Sequence, residues 1–544
     1  MVSVFAQDSA KLNFDLTHTG TLPVIYITTE DSVEITSRTD YINATYYLDP
    51  MGCDGVEALG SPEVQLPLQI RGRGNVTWTQ NKKPYKLKFE RNTKFLGMHG
   101  NKHFALLTCY GPYAAFVYYT GLQFAPKLGM RWTPSMVPLE LYINGGYRGI
   151  YYATGTVRVD ENRLNIVEQP DYNEDPATIS GGWLVESDNY ADPHQILLDQ
   201  PGIRLNRITY HSPENLSSLQ LQWLTDQFAA ITEAVCDSDK YDNRWANYLD
   251  IDDLARTIIV QETLNNRDAY NGSWHFYHDA GPDSTWHSGP LWDMEYARDE
   301  KTDFLWNELD KKYLPFITEL VKFPTLMKRV QTIWQSIPPV VFSGLWAHLR
   351  TFGAQIDKSY TQDYLYMQSQ LWQPSPGTGL EMEAKMEAHF RHNVDWLNER
   401  WSGDNPDYSI YTLVFAEAGG GEVLVNGKER SQIDVFAHDS LTVTFHPFED
   451  MQLSSVLVNG REMCVDGPLS ELRLDDVSSD MTVITRFSVQ NSRLDEVLFT
   501  DADNVKVYDL KGSLIYSGPT DGVAYPARGV YILIDSKGSR KIKI

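Results

Sequence analysis

After about residue 402 the helical period disappears from the sequence. Before that point, short strands with alternating apolar positions mix with long segments of helical period. The run SGDNPDYS around 403–409 collects Gly, Asp, Asn and Pro, which is linker chemistry. Beyond it every apolar run is short, β-branched and bounded by turn residues. Such a chain cannot be one α-bundle or one β-sandwich. It predicts an α+β core followed by small all-β domains. Its 544 residues suggest about three domains.

In the first zone, LPVIYITT, QLPLQIRGRGNVTW and KKPYKLKFE carry strand signals, and LELYINGGYRGIYYAT reads as a hairpin turning at Asn144-Gly145. LSSLQLQWLTDQFAAITEAV has Leu216, Leu219, Trp223, Leu224, Phe228, Ile231 and Val235 near helical spacing. DDLARTIIVQETL predicts a second helix, capped by Asp252 or Asp253 and ending at Asn265-Asn266. WHFYH reads as a strand, SGPLWDMEYA as another that breaks into a loop, and further helices fill 316–401. In the tail VLVNGKE at 423–429 recurs as VLVNGRE at 456–462, two similar hairpins turning at Asn-Gly.

The formal charge, 47 Lys and Arg against 72 Asp and Glu, is −25. That excludes non-specific binding to nucleic acid or to acidic membranes, but a metal-complexed anion needs only local positive charge. No run of about 18 apolar residues predicts a membrane span. Cys53, Cys109, Cys236 and Cys464 form no CxxC pair, so neither a zinc ribbon nor a disulfide framework is indicated. The opening MVSVFAQDS fits either the stump of an export signal or an ordinary chain end. No GxSxG or HExxH motif is present.

The order helix, loop with Asp268, strand, loop with Asp293 is the most informative feature. Phosphoryl transfer needs one carboxylate to orient or deprotonate a hydroxyl, another to hold a metal, and cations to offset charge. A β-hairpin between Asp268 and Asp293 would return the chain to its start and aim both acids into one cleft. Glu295, two residues further on a strand, would share a face with Asp293 and add an oxygen ligand for Mg²⁺ or Mn²⁺. Aspartates in loops also serve turns, and spacing alone leaves both readings open. Arg71 and Arg73, set between Gly72 and Gly74, read either as a phosphate cradle or as a β-bulge with exposed arginines. Lys86 and Lys88 point one way from their strand, either toward a phosphate or as the solvated face of an edge strand. His275 and His278 fall on opposite strand faces and make a poor metal pair. His389 and His392, with Glu387, read as a solvated helix face.

Eight segments in order, IRGRGNVTW, KKPYKLKFE, FLGMHGNKHFALL, LELYINGGYRGIYY, VRVDENRLNI, SGGWLVESD, QETLNNRDAY and GPLWDME, resemble the spore coat protein H (CotH) kinase family of secreted or surface-associated atypical protein kinases. The likeness covers about residues 21–300, with the helices to about 402 completing the domain. It implies an atypical protein-kinase-like core, ATP with Mg²⁺ or Mn²⁺, Asp268 as the catalytic-loop aspartate, Asp293 as the metal-binding one, and Lys86 as a phosphate contact. Glu186 matches an acidic family position and receives no role. Three departures stand out. Pro112, Ala114, Val117 and Tyr118 occupy the region where the family carries an Asp-x-Thr/Ser and an Arg-Asn pair. Gly155 or Thr156 replaces a Glu. WDME replaces WDxD.

The tail is similar to two further groups. Residues 409–488 resemble a bacterial repeat or immunoglobulin-like module. VKVYDLKGSLIYSG with ARGVYILIDSKGSRKIKI resembles the C-terminal sorting domain of the type nine secretion route of Bacteroidetes. The expected organisation is therefore 1–20 as an N-terminal segment, 21–402 as the kinase-like domain, 403–490 as the β module and 491–544 as the sorting-like domain. The expected function is transfer of phosphate to a hydroxyl of a protein or glycan by a secreted, cell-surface or periplasmic protein. The alternative is a catalytically weakened pseudokinase acting as a binding scaffold.

Overall fold

The computed structural model describes residues 16–109, 111–198, 207–236, 239–281, 284–297, 300–308, 316–371, 377–417, 419–463, 470–489, 504–519, 530–535 and 538–543. The segment MVSVFAQDS, Cys464 and Gly529 lie outside them. Cys53, Cys109 and Cys236 are free thiols. Among the described residues no helix is long and apolar enough to cross a membrane. The chain divides into two compact units. One holds the chain up to Phe415 with Arg430–Thr442 and Arg473–Thr482. The other holds Ala416–Glu429, Val443–Leu472 and Val483–Ile544.

The first unit begins with seven strands: β1 (Val24–Thr29), β2 (Ile42–Asp49), β3 (Leu66–Gly72), β4 (Tyr85–Thr93), β5 (Asn101–Leu107), β6 (Met136–Ile143) and β7 (Gly146–Gly155). Alternate residues are buried against one another, among them Ala44, Tyr46 and Leu48, Leu68 and Ile70, Leu87 and Phe89, Leu139 and Leu141. Seven strands with one apolar face each bury it best by curling round it, and the sheet closes as a barrel in the order β1-β2-β3-β4-β5-β7-β6. Closure comes from parallel pairing of β1 with β6, Val24 opposite Glu140. The sequence did not announce the barrel. It also removes the edge: β4 lies between β3 and β5, so Lys86 and Lys88 are not on an edge strand. The Asn144-Gly145 hairpin forms as expected, with φ of 51° and 74° at the two turn residues.

Helix α1 (Ala114–Phe124) follows β5, and its Ala114, Phe116, Val117, Tyr118 and Leu122 are buried. A second, antiparallel sheet runs in the order β12-β11-β8-β10-β9, from β8 (Trp183–Ser187), β9 (Gln195–Leu197), β10 (Arg207–Ser212), β11 (Trp274–His278) and β12 (Trp286–Ser288). Helix α2 (Ser218–Cys236) and helix α3 (Ile251–Leu264) join the core through Leu224, Phe228, Ile231, Leu254 and Ile258. The cap of α3 is Asp250, whose side chain accepts from Asp253 N at 2.8 Å, and not Asp252 or Asp253. Asp252 pairs with Arg329 instead, and the buried Asp253 with Arg256 and His287. Helices Pro324–Ser336, Pro339–Leu371 and Gly379–Trp401 close the core, the last behind a Thr378–Glu381 capping box.

Beyond Ser409 every regular element described is a strand. In the second unit Asn426-Gly427 and Asn459-Gly460 turn their hairpins with φ between 48° and 77°. Leu514–Pro519, Asn504–Tyr508, Val530–Asp535 and Gly538–Lys543 form one antiparallel sheet in that order, with Gly512 at φ 85° in its first turn. The architecture is thus α+β with a C-terminal all-β region.

Candidate functional site

The site is built where α3 ends. Asn265 leaves the helix in the left-handed conformation at φ 53°, its N–H bonding back to Gln261 and Glu262 carbonyls. Asn266, Arg267 and Asp268 follow before β11. The β11–β12 hairpin then brings the chain back, through Phe276 opposite Ser288. SGPLWDMEYA breaks out of its strand early: Ser288 ends β12 and Gly289–Ala297 returns as loop. Asp293 sits in left-handed backbone at φ 61°, so the period-two argument for Asp293 and Glu295 sharing a strand face fails.

Backbone contacts bring the two acid segments together nonetheless. Arg267 N donates to Tyr296 O at 2.6 Å, and Asn266 bridges to Ala297. Asp268 and Asp293 line one pocket open to solvent, together with Tyr270, Ser273, Trp274 and Trp292. Ser273 Oγ lies 3.5 Å from Asp293 Oδ2. Glu295 lies behind this wall, 8% exposed. Among the described residues none of the three carboxylates has an ion-pair partner. Asp268 is exposed as a residue, and partial desolvation of its carboxylate raises it, with Arg267 opposing. Asp293 is likewise exposed as a residue, yet the crowding that desolvates its carboxylate raises it, helped by Asp268 and Glu186 and opposed by Arg73 and Ser273. Glu295 is pushed up to about 8 by burial, then by Asp293 and Asp268, with Arg73 opposing. The three acids offer only oxygen donors, the kind a hard divalent cation takes, but among the described residues they are not gathered into one three-ligand set.

The two arginines of RGRG part company. Arg71 donates to the carbonyls of Arg38 and Gly72 and lies 5.1 Å from the Tyr41 ring centroid, so its guanidinium is spent on the barrel surface. Arg73 stacks over Trp292 at 5.5 Å, next to Asp293. The glycines are set by local packing and a turn. At Gly72 a Cβ would meet the Trp78 ring at 2.4 Å, and Gly74 turns at φ 80°. Lys86 points out of the barrel opposite Arg71. Burial depresses it to about 8, followed by Arg71, Arg158 and Arg73, with Glu214 opposing. Arg73 is therefore the link: its charge acts on Lys86 and on both Asp293 and Glu295.

Sequence reasoning missed Ser273 and the surroundings of Glu186. Burial would raise Glu186, but His275, His211 and Ser273 together hold it down near about 2. His278 turns away, its Nε2 3.0 Å from Ser284 O, so His275 and His278 do not meet. On the Gly379–Trp401 helix His389 lies 3.1 Å from Asn393, and Glu387 pairs with Arg350 and Arg391. A protein-family model described as CotH kinase protein matches residues 70–402. No curated protein matches the chain.

Proposed function

The chain belongs to the CotH kinase family, and from that membership we propose that it transfers phosphate from a metal-bound nucleotide, ATP with Mg²⁺ or Mn²⁺, to a hydroxyl of a protein or glycan. The observation that carries this reading is the shared cavity of Asp268 and Asp293, with Arg73 acting on both the carboxylates and Lys86. Asp293 and Glu295 are the residues that would hold the metal, with Ser273 Oγ beside them. Bound there, the cation neutralises charge on the phosphates. Lys86 and Arg73 hold the phosphates from the barrel side, and Arg71 contributes only field. Asp268, made more basic by partial desolvation, accepts the proton of the acceptor hydroxyl as its oxygen bonds to phosphorus and the bond to the nucleoside diphosphate breaks. Tyr270, Trp274 and Trp292 keep the cavity wall apolar against water.

Labelled ATP with Mn²⁺ should label the protein or an acceptor, and Asp293→Ala should lose the label. Equal labelling by that variant overturns the assignment. Asp268→Ala should bind nucleotide and fail to transfer it.

A second reading, a pseudokinase scaffold, is favoured by the high proton affinity of Glu295 and by α1. Val117 and Tyr118 are fully buried there, where the family carries its Arg-Asn pair. Nucleotide binding without label transfer would select it. The tail, read as a β module over 403–490 and a sorting-like domain over 491–544, supports an exported, surface-held or periplasmic protein. Deletion of 491–544 in the native host should then leave the protein off the surface.

A further inference from the structure

Beside the carboxylate cavity, three adjacent strands carry a side-chain set that phosphoryl transfer does not use. Glu186 on β8 stands directly across from His275 on β11 and from Thr209 on β10. His211 is two residues beyond Thr209 and reaches the Glu186 carboxylate. The register shifts between Tyr210 and Ser212, which places a bulge at His211. Glu186 Oε2 lies 2.8 Å from His211 Nε2 and 3.5 Å from His275 Nε2, and one donor atom from each of the three lies within 4.8 Å of the others.

The orientation of His275 is informative. Its Nδ1 is 3.1 Å from the carbonyl oxygen of Ser273, which can only accept, so Nδ1 carries the hydrogen. In the neutral ring Nε2 then presents a lone pair, and what it faces is a carboxylate oxygen. Two acceptors aimed at each other across 3.5 Å call for a positive centre between them. A carbonyl that fixes the tautomer of a histidine is also the usual outer support of a metal ligand. The two rings, 5.7 Å apart between centroids and tilted by 30°, are neither stacked nor hydrogen-bonded to each other.

We propose that Glu186, His211 and His275 bind one divalent transition cation of the Zn²⁺ class. Two imidazoles and one carboxylate suit such an ion, whereas Mg²⁺ suits the all-oxygen set at Asp293. Three protein ligands leave a fourth position open, on the side where His211 is exposed. All three side chains stand on paired strands, so the set is rigid. Ser273 joins the two sites: its carbonyl orients His275 and its hydroxyl reaches toward Asp293. A cation on Glu186 would pin β10, β8 and β11 around the loop that carries Ser273.

The test uses the full chain, stripped with a chelator, dialysed and titrated with Co²⁺, then with Zn²⁺. One equivalent of Co²⁺ should give the intense visible bands of a four- or five-coordinate nitrogen-ligated site, and Zn²⁺ should displace it. His211→Ala should weaken binding at least about 100-fold. His275→Gln should do the same, and Asp293→Asn should leave the spectrum and stoichiometry unchanged. Parental Co²⁺ binding by His211→Ala, or only the weak bands of six-coordinate aquo-Co²⁺ in the parent chain, overturns the proposal. No phosphate transfer is read, so either outcome leaves the kinase reading untouched.

Discussion

The backbone N–H of Arg267 donates to the carbonyl of Tyr296 at 2.6 Å, joining the residue before Asp268 to the residue after Glu295. Two loops separated by a hairpin therefore move as one piece, and their carboxylates keep a fixed spacing. Asn266 supports the joint from the α3 side. Its Nδ2 donates to Gln261 Oε1 at 2.9 Å, and its Oδ1 accepts from Asp268 N at 3.4 Å.

Asn266→Ala should therefore cost stability and loosen Asp268. The side chain is 1% exposed, and its loss strands a buried amide on Gln261, worth about 1–3 kcal/mol. Urea unfolding should show that loss. Phosphate transfer should slow while nucleotide affinity holds, because the barrel-side cations are untouched. Parental unfolding and parental turnover would together refute the coupling.

Glu295 gives a pH signature. Its folded-state pKa, about 8, lies above the ordinary 4.5 of a glutamate, so the folded protein holds that proton more tightly than the unfolded chain. Its contribution to stability is complete below the lower value and is lost as pH climbs toward the upper one, by up to about 1.4 kcal/mol per unit crossed. Metal-free protein should melt progressively lower from pH 5 to 8, and Glu295→Gln should show a shallower fall. Divalent metal, which competes with the proton, should bind more tightly as pH rises. Parallel melting curves for parent and variant would remove Glu295 from the buried acid set.

Behind the site, Lys301 Nζ lies 2.6 Å from Glu262 Oε2 with both side chains at 0% exposure, and the same carboxylate accepts from Leu305 N. Breaking one partner strands a buried charge, at a cost of about 3–5 kcal/mol. Lys301→Met should show that loss in denaturant titration. The double variant Lys301→Met with Glu262→Leu should recover much of it, since neither charge is then left alone. A double variant no better than the single one would show that the pair matters through the Leu305 contact instead.

How much of this was legible in the sequence follows from the range of the interactions. The β strands, α2, α3 and the Asn-Gly turns are set by residues within a few positions of one another, and alternation or helical spacing exposes them. The barrel depends on β1 meeting β6, more than a hundred residues away, and no local pattern encodes that pairing. Asp250, not its neighbours, caps α3; Arg329 from another helix holds Asp252, and Arg256 one turn on holds Asp253. The glycines of RGRG answer to Trp78 packing and a turn, neither of which is a motif property. Positive φ at Asp293 broke the strand rule that was to align it with Glu295. His211 reaches Glu186 beside a bulge, and no sequence spacing would pair it with His275.

Lys86 supplies the most direct test of where phosphate sits. Burial, with Arg71, Arg158 and Arg73, lowers its pKa to about 8, so near neutral pH the ammonium is close to losing its charge. The folded state then binds the proton less tightly than the unfolded chain, and this group's share of stability increases as pH rises from about 8 toward 10.5. A polyphosphate works in the opposite direction, because it favours the ammonium form. Nucleotide affinity should therefore fall as pH rises through about 8 even as the protein itself gains stability from this group. Lys86→Arg, charged throughout, should remove that fall. Lys86→Met should bind about tenfold more weakly and show no such dependence, consistent with one lost charge-assisted contact of about 1.4 kcal/mol or more. Calorimetric titration of nucleotide at pH 7 and 9 separates the three chains. Identical affinities for the parent and Lys86→Met at pH 7 would put the phosphates elsewhere, and Arg73 would then be the cation to replace next.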